Sequence, residues 1–198
     1  DLVTSVNAML RQMGRAELPT DLVATYIGHG APQLIASALG PEATDDQGRT
    51  GRSLFLAHYQ VHKLDATRPY PGVVEALDAL AAYPMSVLTN KPTDMSVDIL
   101  QGLGLAKYFR SIYGGDSFEK KKPDSIGALK ILGEFGVSPA QAALVGDSEV
   151  DTQTARNAGT LAVTVNYGFG VHDRAAHPAD LYLDSLIDLV GLTRKRRA

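Results

Sequence analysis

The chain has 198 residues, a formal net charge of -3, 44% hydrophobic and 21% charged residues, and no cysteine. That length allows one domain with a sizeable core or two small ones, and a slightly acidic balance gives no overall pull toward nucleic acid. Lack of cysteine excludes disulfides, thiolate catalysis and cysteine zinc sites and points to the cytoplasm. No apolar run approaches the roughly 18 residues needed to cross a bilayer, so no membrane partner is expected.

The first third reads as helices. Leu2, Val6, Met9, Leu10 and Met13 recur at helical spacing and Gly14 stops the run. Pro19-Thr20-Asp21 opens a second helix carrying Val23, Tyr26 and Ile27, which ends at Gly28-His29-Gly30. Leu34, Ile35, Ala38 and Leu39 form a third stripe, closed by Gly40-Pro41, and Leu54, Phe55, His58, Tyr59 and His62 a fourth. No strand signal interrupts residues 1–68, which form a helical unit.

At Arg68-Pro69-Tyr70-Pro71-Gly72, two prolines and a glycine in five residues mark a boundary. Beyond it, helix and strand alternate. Val73–Leu80 is a helix, Met85–Leu88 a strand, Val97–Leu103 a helix and Ile112–Tyr113 a short strand. Ile126–Phe135 is a helix, and Ala142–Val145, Leu161–Val165 and Leu181–Leu183 are strands. This alternation argues for an α/β fold, a doubly wound parallel sheet over residues 69–198, next to the helical unit. The basic run Arg194-Lys195-Arg196-Arg197 reads as a solvated terminus.

Three strand ends carry residues suited to one chemistry. Val87-Leu88 is followed by Thr89-Asn90-Lys91-Pro92, a hydroxyl and an amide at a strand tip. Such a tip, with its backbone N–H groups, holds a phosphoryl oxygen. Lys120-Lys121-Lys122-Pro123 follows the Ile112 strand, and a lysine fixed before a proline can offset phosphate charge. Leu144-Val145-Gly146-Asp147 leads into Ser148-Glu149-Val150-Asp151, a buried strand delivering one carboxylate to its tip and a second one helical turn later. Ligands bind at this edge of open α/β sheets. Two oxygen donors there suit Mg2+, which takes one or two carboxylates plus substrate phosphate.

Hydroxyl, lysine before proline and paired aspartates, in that order, resemble the haloacid dehalogenase-like hydrolase superfamily. Thr89 corresponds to its second motif, Lys122 to its third, and Asp147 with Asp151 to its fourth. Residues 1–68 are similar to its helical cap. Val6–Leu10, Gly28-His29-Gly30-Ala31-Pro32, Ala57-His58-Tyr59, Arg68–Val73 and Val145–Gly159 look closest to the phosphoglycolate phosphatase branch. The first motif of the family, a strand followed by Asp-x-Asp-Gly-Thr that carries the nucleophile and the general acid, occurs nowhere in the chain. Because Asp1-Leu2 matches residues just after that motif, the natural protein is expected to extend upstream. A sheet without that segment would lack a central strand.

The resemblance implies a Mg2+-dependent phosphomonoesterase working through an aspartyl-phosphate, with 2-phosphoglycolate as the leading substrate and a monomer or homodimer as the working form. It implies that Thr89 and Asn90 bind a phosphoryl oxygen, that Lys122 offsets charge, and that Asp147 holds the metal in part, with Asp151 either a further ligand or a support behind it. His29 and Gly30 would contact substrate from the cap, with Arg49 and Arg52 weaker candidates for a substrate carboxylate. His58 and His62 read as packing beside Phe55 and Tyr59; His172 and His177 have no partner to define a role. Another small phosphate (a sugar phosphate or pyrophosphate) remains open as substrate, as does a non-catalytic binding protein. A mutase or dehalogenase fits the fourth motif less well, and a receiver domain has no helical cap.

Overall fold

The computed structural model describes residues 1–169 and 173–195, so His172 and the terminal Arg196 and Arg197 lie outside the described residues. The chain divides into two units, Asp1–Arg68 and Pro69–Ala198.

The first unit holds four helices among its described residues: α1 (Leu2–Gln12), α2 (Thr20–Ala24), α3 (Ala31–Leu39) and α4 (Asp45–His62). Val6, Met9 and Leu10 of α1, Val23 of α2, Leu34, Ile35 and Leu39 of α3, and Phe55 and Tyr59 of α4 are buried as one core. Close helix approach depends on Gly51, where an added Cβ would lie 3.2 Å from Ile35, Leu39 and Met9 side chains. The Asp1 carboxylate accepts from the Ala66 and Thr67 N–H groups and the Thr67 hydroxyl, tying the first helix to the end of the unit.

Helix α4 begins at Asp45, well before the Leu54 stripe that the periodicity predicts. The stretch Asp45–Ser53 is polar and carries Gly48 and Gly51, so it has no apolar stripe to read. A capping box starts it instead. The Thr44 hydroxyl accepts from the Gln47 N–H (3.3 Å), and the Gln47 side chain accepts from the Thr44 N–H (3.0 Å). Thr44→Ala is expected to cost about 1 kcal/mol in urea unfolding, the usual loss for an N-cap; an unchanged midpoint would show that the polar start of α4 contributes nothing.

The second unit runs α5 (Val73–Ala79), β1 (Ser86–Leu88), α6 (Thr93–Gly102), β2 (Ser111–Tyr113), α7 (Ile126–Phe135), β3 (Ala143–Gly146), α8 (Glu149–Ala158), β4 (Leu161–Val165), β5 (Leu181–Leu183) and α9 (Asp188–Lys195). Every strand pair is parallel, as crossover helices require. Helix α6 starts at Thr93, not Val97, because Asp116 from the loop after β2 caps it, accepting from the Thr93 N–H (2.8 Å) and hydroxyl (2.5 Å).

The strands fall into two groups, β1–β2 and β3–β4–β5. Central β4 is buried along its middle (Ala162, Val163, Thr164), and α8 packs on β3 and β4 through Val150 and Ala155. Strand β3 differs: Ala143 and Val145 are exposed, Val145 by 37%, although parallel strands are ordinarily covered on both faces. Among the described residues β1 pairs only with β2, and β3 only with β4.

Candidate active site

The tips of β1 and β3 and the loop after β2 carry the residues that the sequence singles out in the second unit. Strand β1 ends at Leu88, and the Thr89 N–H continues the ladder to the Tyr113 carbonyl (2.9 Å). The chain then turns. The Thr89 hydroxyl accepts from the Lys91 N–H (3.2 Å), which fixes its oxygen at the tip. Asn90 is buried, and its side-chain amide donates to the Lys122 carbonyl (3.0 Å). This bond joins the first tip to the lysine loop, where the Lys122–Pro123 peptide is cis. Burial lowers the Lys91 amine to about 8.

From the same Lys122 the ammonium reaches Asp151 at 2.6 Å, with only 12% and 9% of the two side chains exposed. The other Asp151 oxygen accepts from the Ser148 hydroxyl (2.6 Å) and N–H (3.2 Å). Ser148 is the N-cap of α8 and Asp151 its third residue, so the carboxylate also sits at the positive end of the helix dipole. Burial pushes the Asp151 carboxyl up. The Lys122 ammonium and the two Ser148 donors outweigh it, and the net direction is down. Close approach here requires Gly146, because a Cβ at that position would lie 2.2 Å from the Asp151 carboxyl carbon.

Asp147 is built differently. It stands between the end of β3 and the Ser148 cap and is half-buried. Its Oδ2 accepts from the Phe169 N–H (3.0 Å), which comes from the loop after β4. Two carboxylates four residues apart therefore have different surroundings. Asp151 has both oxygens engaged by Lys122 and Ser148, whereas no ammonium or guanidinium among the described residues pairs with Asp147. No cluster of three or more His, Cys, Asp or Glu side chains among the described residues is arranged to hold a metal. The oxygen donor at Asp147 fits a hard cation completed by phosphate oxygens and water, the ordinary Mg2+ arrangement.

Thr89, Asn90, Lys122 and Asp151 are thus linked by hydrogen bonds and backbone, with Asp147 four residues from Asp151. His29 and Gly30 belong to the first unit, where they join α2 to α3. His29 is exposed, and Gly28 and Gly30 take φ of 134° and 87°, values that favour glycine. Arg49 is exposed and paired with Asp46 (3.3 Å). His58 and His62 do not share the burial of Phe55 and Tyr59: they are half-buried, and their rings stack on each other at 4.2 Å. His58 faces the Ser5 hydroxyl (3.0 Å) and His62 faces Asp65 (2.7 Å). His177 does have partners, which the sequence did not reveal. It packs on the first turns of α8, 3.2 Å from Gln153 and 3.9 Å from Glu149.

Ser148, Gly168 and Phe169 are contributors that spacing does not reveal. Ser148 was within reach, since Ser-x-x-Asp at a helix start is close to a capping box. Phe169 acts through its backbone, which no side-chain pattern signals.

Comparison with known proteins shows the family. Residues 1–165 match the haloacid dehalogenase-like hydrolase family. A phosphoglycolate phosphatase of Chromobacterium violaceum is 33% identical over 98% of this chain and 89% of its own length. That of Thiobacillus denitrificans is 36% identical over 94% and 84%. The crystal structure of a predicted phosphoglycolate phosphatase from Haemophilus somnus superposes with a TM-score of 0.89 at 31% identity, covering 98% of this chain and 90% of that one. The match over residues 1–165 and these relatives place the chain in the haloacid dehalogenase-like hydrolases.

Proposed function

We propose that this protein is a Mg2+-dependent phosphomonoesterase of the cytoplasm that acts on small phosphorylated metabolites, with 2-phosphoglycolate as its substrate. The observation that carries the reading is the buried Lys122–Asp151 pair, bonded to the Thr89–Asn90 tip and adjoining Asp147. A fixed cation, a hydroxyl and a carboxylate gathered at parallel-strand tips and the loop after β2 suit a phosphoryl group. Relatives named phosphoglycolate phosphatase support the substrate.

In this reading the Thr89 hydroxyl and neighbouring N–H groups hold a phosphoryl oxygen. Lys122 offsets the negative charge that gathers during transfer, and Asp151 holds that ammonium in place. Asp147 binds Mg2+, supported by Asp151; the bound ion would draw charge from the phosphoryl oxygens and fix the ester. Little covalent chemistry is asked of these groups, and their work is positioning and charge stabilisation. An aspartate attacks phosphorus, forming an acyl phosphate as the ester P–O bond breaks, and the leaving alkoxide takes a proton from a second acid. Water then cleaves the aspartyl-phosphate. No Asp-x-Asp-Gly-Thr segment to carry the attacking aspartate occurs in these 198 residues; among the described residues β1 pairs only with β2 and β3 only with β4, which leaves an edge of each open to a further strand.

The test is hydrolysis of a panel of phosphate esters by the protein expressed from its whole reading frame. The expected result is a higher kcat/KM for 2-phosphoglycolate than for sugar phosphates or pyrophosphate, lost in EDTA and restored by Mg2+. Equal rates in Mg2+ and EDTA for every ester would contradict it, and no hydrolysis of any ester would favour a binding role.

A further inference from the structure

We infer that the stretch Asn166–Phe169, directly after β4, is a positioning arm that aims Asp147 at the metal, and that Gly168 is the residue it depends on. This inference rests on the proposed role of Asp147 as a Mg2+ ligand.

Three observations carry it. First, the Phe169 N–H donates to Asp147 Oδ2 at 3.0 Å, a charge-assisted bond that sets which way the carboxylate turns. Second, Gly168 lies against the same carboxyl group: a Cβ there would meet Asp147 Oδ2 at 2.2 Å and its Cγ at 2.8 Å, and its φ of 127° disfavours any other residue. Third, the arm is braced before it reaches Asp147. The Asn166 N–H donates to the Leu183 carbonyl of β5 (2.8 Å), its amide donates to Asp184 (2.5 Å), and its side-chain oxygen accepts from Arg174 (2.5 Å). The Tyr167 ring packs on Tyr70 at 4.7 Å.

A brace on β5 thus ends in one N–H directed at one carboxylate oxygen. With Oδ2 so held, the rotation of the Asp147 carboxyl group is fixed before any cation arrives, which lowers the cost of ordering it on binding. Metal ligands held by outer partners in this way typically lose 10–100-fold in affinity when the partner is removed.

Gly168→Ala and Phe169→Pro, the latter removing the N–H, would be compared with Gly136→Ala in the protein from its whole reading frame. Gly136 also has a positive φ (65°), but a Cβ there has nothing within 4 Å, so this variant carries the backbone strain without touching a carboxylate. Mg2+ binding is read by calorimetry and, separately, as the half-saturating Mg2+ for ester hydrolysis beside the KM for ester at saturating Mg2+. The expected result is Mg2+ affinity at least tenfold weaker in both arm variants, with KM within about twofold and Gly136→Ala near the parent. Arm variants that fold and bind Mg2+ like Gly136→Ala would overturn the inference while leaving the role of Asp147 intact. A parent that binds no Mg2+ would instead overturn that role, and the arm with it. If Gly168→Ala fails to fold, Phe169→Pro decides.

Discussion

Lys122→Ala is expected to remove both activity and a large share of the stability of the second unit. The Lys122 ammonium lies 2.6 Å from Asp151, with 12% and 9% of the side chains exposed, so neither charge has water to fall back on. Removing one partner of a buried pair leaves the other uncompensated, which costs about 3–5 kcal/mol. For a chain of this size that corresponds to a melting temperature lower by roughly 10 °C. Activity is expected to fall by about 10²–10³, the usual effect of deleting one preorganised charge partner. Lys122→Met combined with Asp151→Asn should regain much of the stability and none of the activity, because a neutral pair no longer buries a lone charge. A Lys122→Ala protein that melts with the parent would show that the pair is solvated and structurally idle.

The same pair sets a pH dependence. Burial raises the Asp151 carboxyl, the Lys122 ammonium and Ser148 donors lower it more, and the folded value lies below the unfolded one. A depressed carboxyl contributes stability that is complete above its unfolded value, about 3.9, and is lost as pH falls through the folded value. In Lys122→Ala the main opposing charge is gone and burial acts with less resistance, so protonation relieves the buried carboxylate. The stability gap between variant and parent should therefore be widest near neutrality and narrow as pH falls toward and below 4. Urea midpoints across pH 3–7 would check this, and a gap that widens with acid would reverse the assignment of which group bears the penalty.

How much of this was legible in the residues follows from the range of the interactions. Strands β4 and β5 and helix α7 fall where their apolar runs begin and end, because each run is bounded by polar residues or a glycine that stops it. The starts of α4 and α6 lie earlier than their apolar stripes. For α4 and α6 the start is set by hydrogen bonds, a Thr44–Gln47 box in one and an Asp116 cap from another loop in the other, and hydrophobic spacing carries no trace of either. At the site, the residue types at the strand tips could be read from spacing. What surrounds each carboxylate could not: spacing leaves Asp151 open as a ligand or as a support. Only the fold shows that Lys122 and Ser148 occupy Asp151, while a backbone N–H from 22 positions downstream holds Asp147.

That difference makes Asp147→Asn the sharpest complement to Lys122→Ala. Asparagine keeps an oxygen that can still accept from the Phe169 N–H, keeps the volume and leaves no buried charge behind. Folding should be nearly unchanged, with a urea midpoint matching the parent. Chemistry should not survive, because a neutral amide oxygen is a much poorer partner for a hard cation than a carboxylate. The loss should exceed the roughly 10–100-fold typical of supporting residues, in Mg2+ affinity and in kcat/KM alike. Lys122→Ala should then be poor in both melting and turnover, and Asp147→Asn poor in turnover alone. If Asp147→Asn retained Mg2+-dependent hydrolysis while Asp151→Asn lost it, the two carboxylates would exchange roles, with Asp151 releasing Lys122 to take the metal.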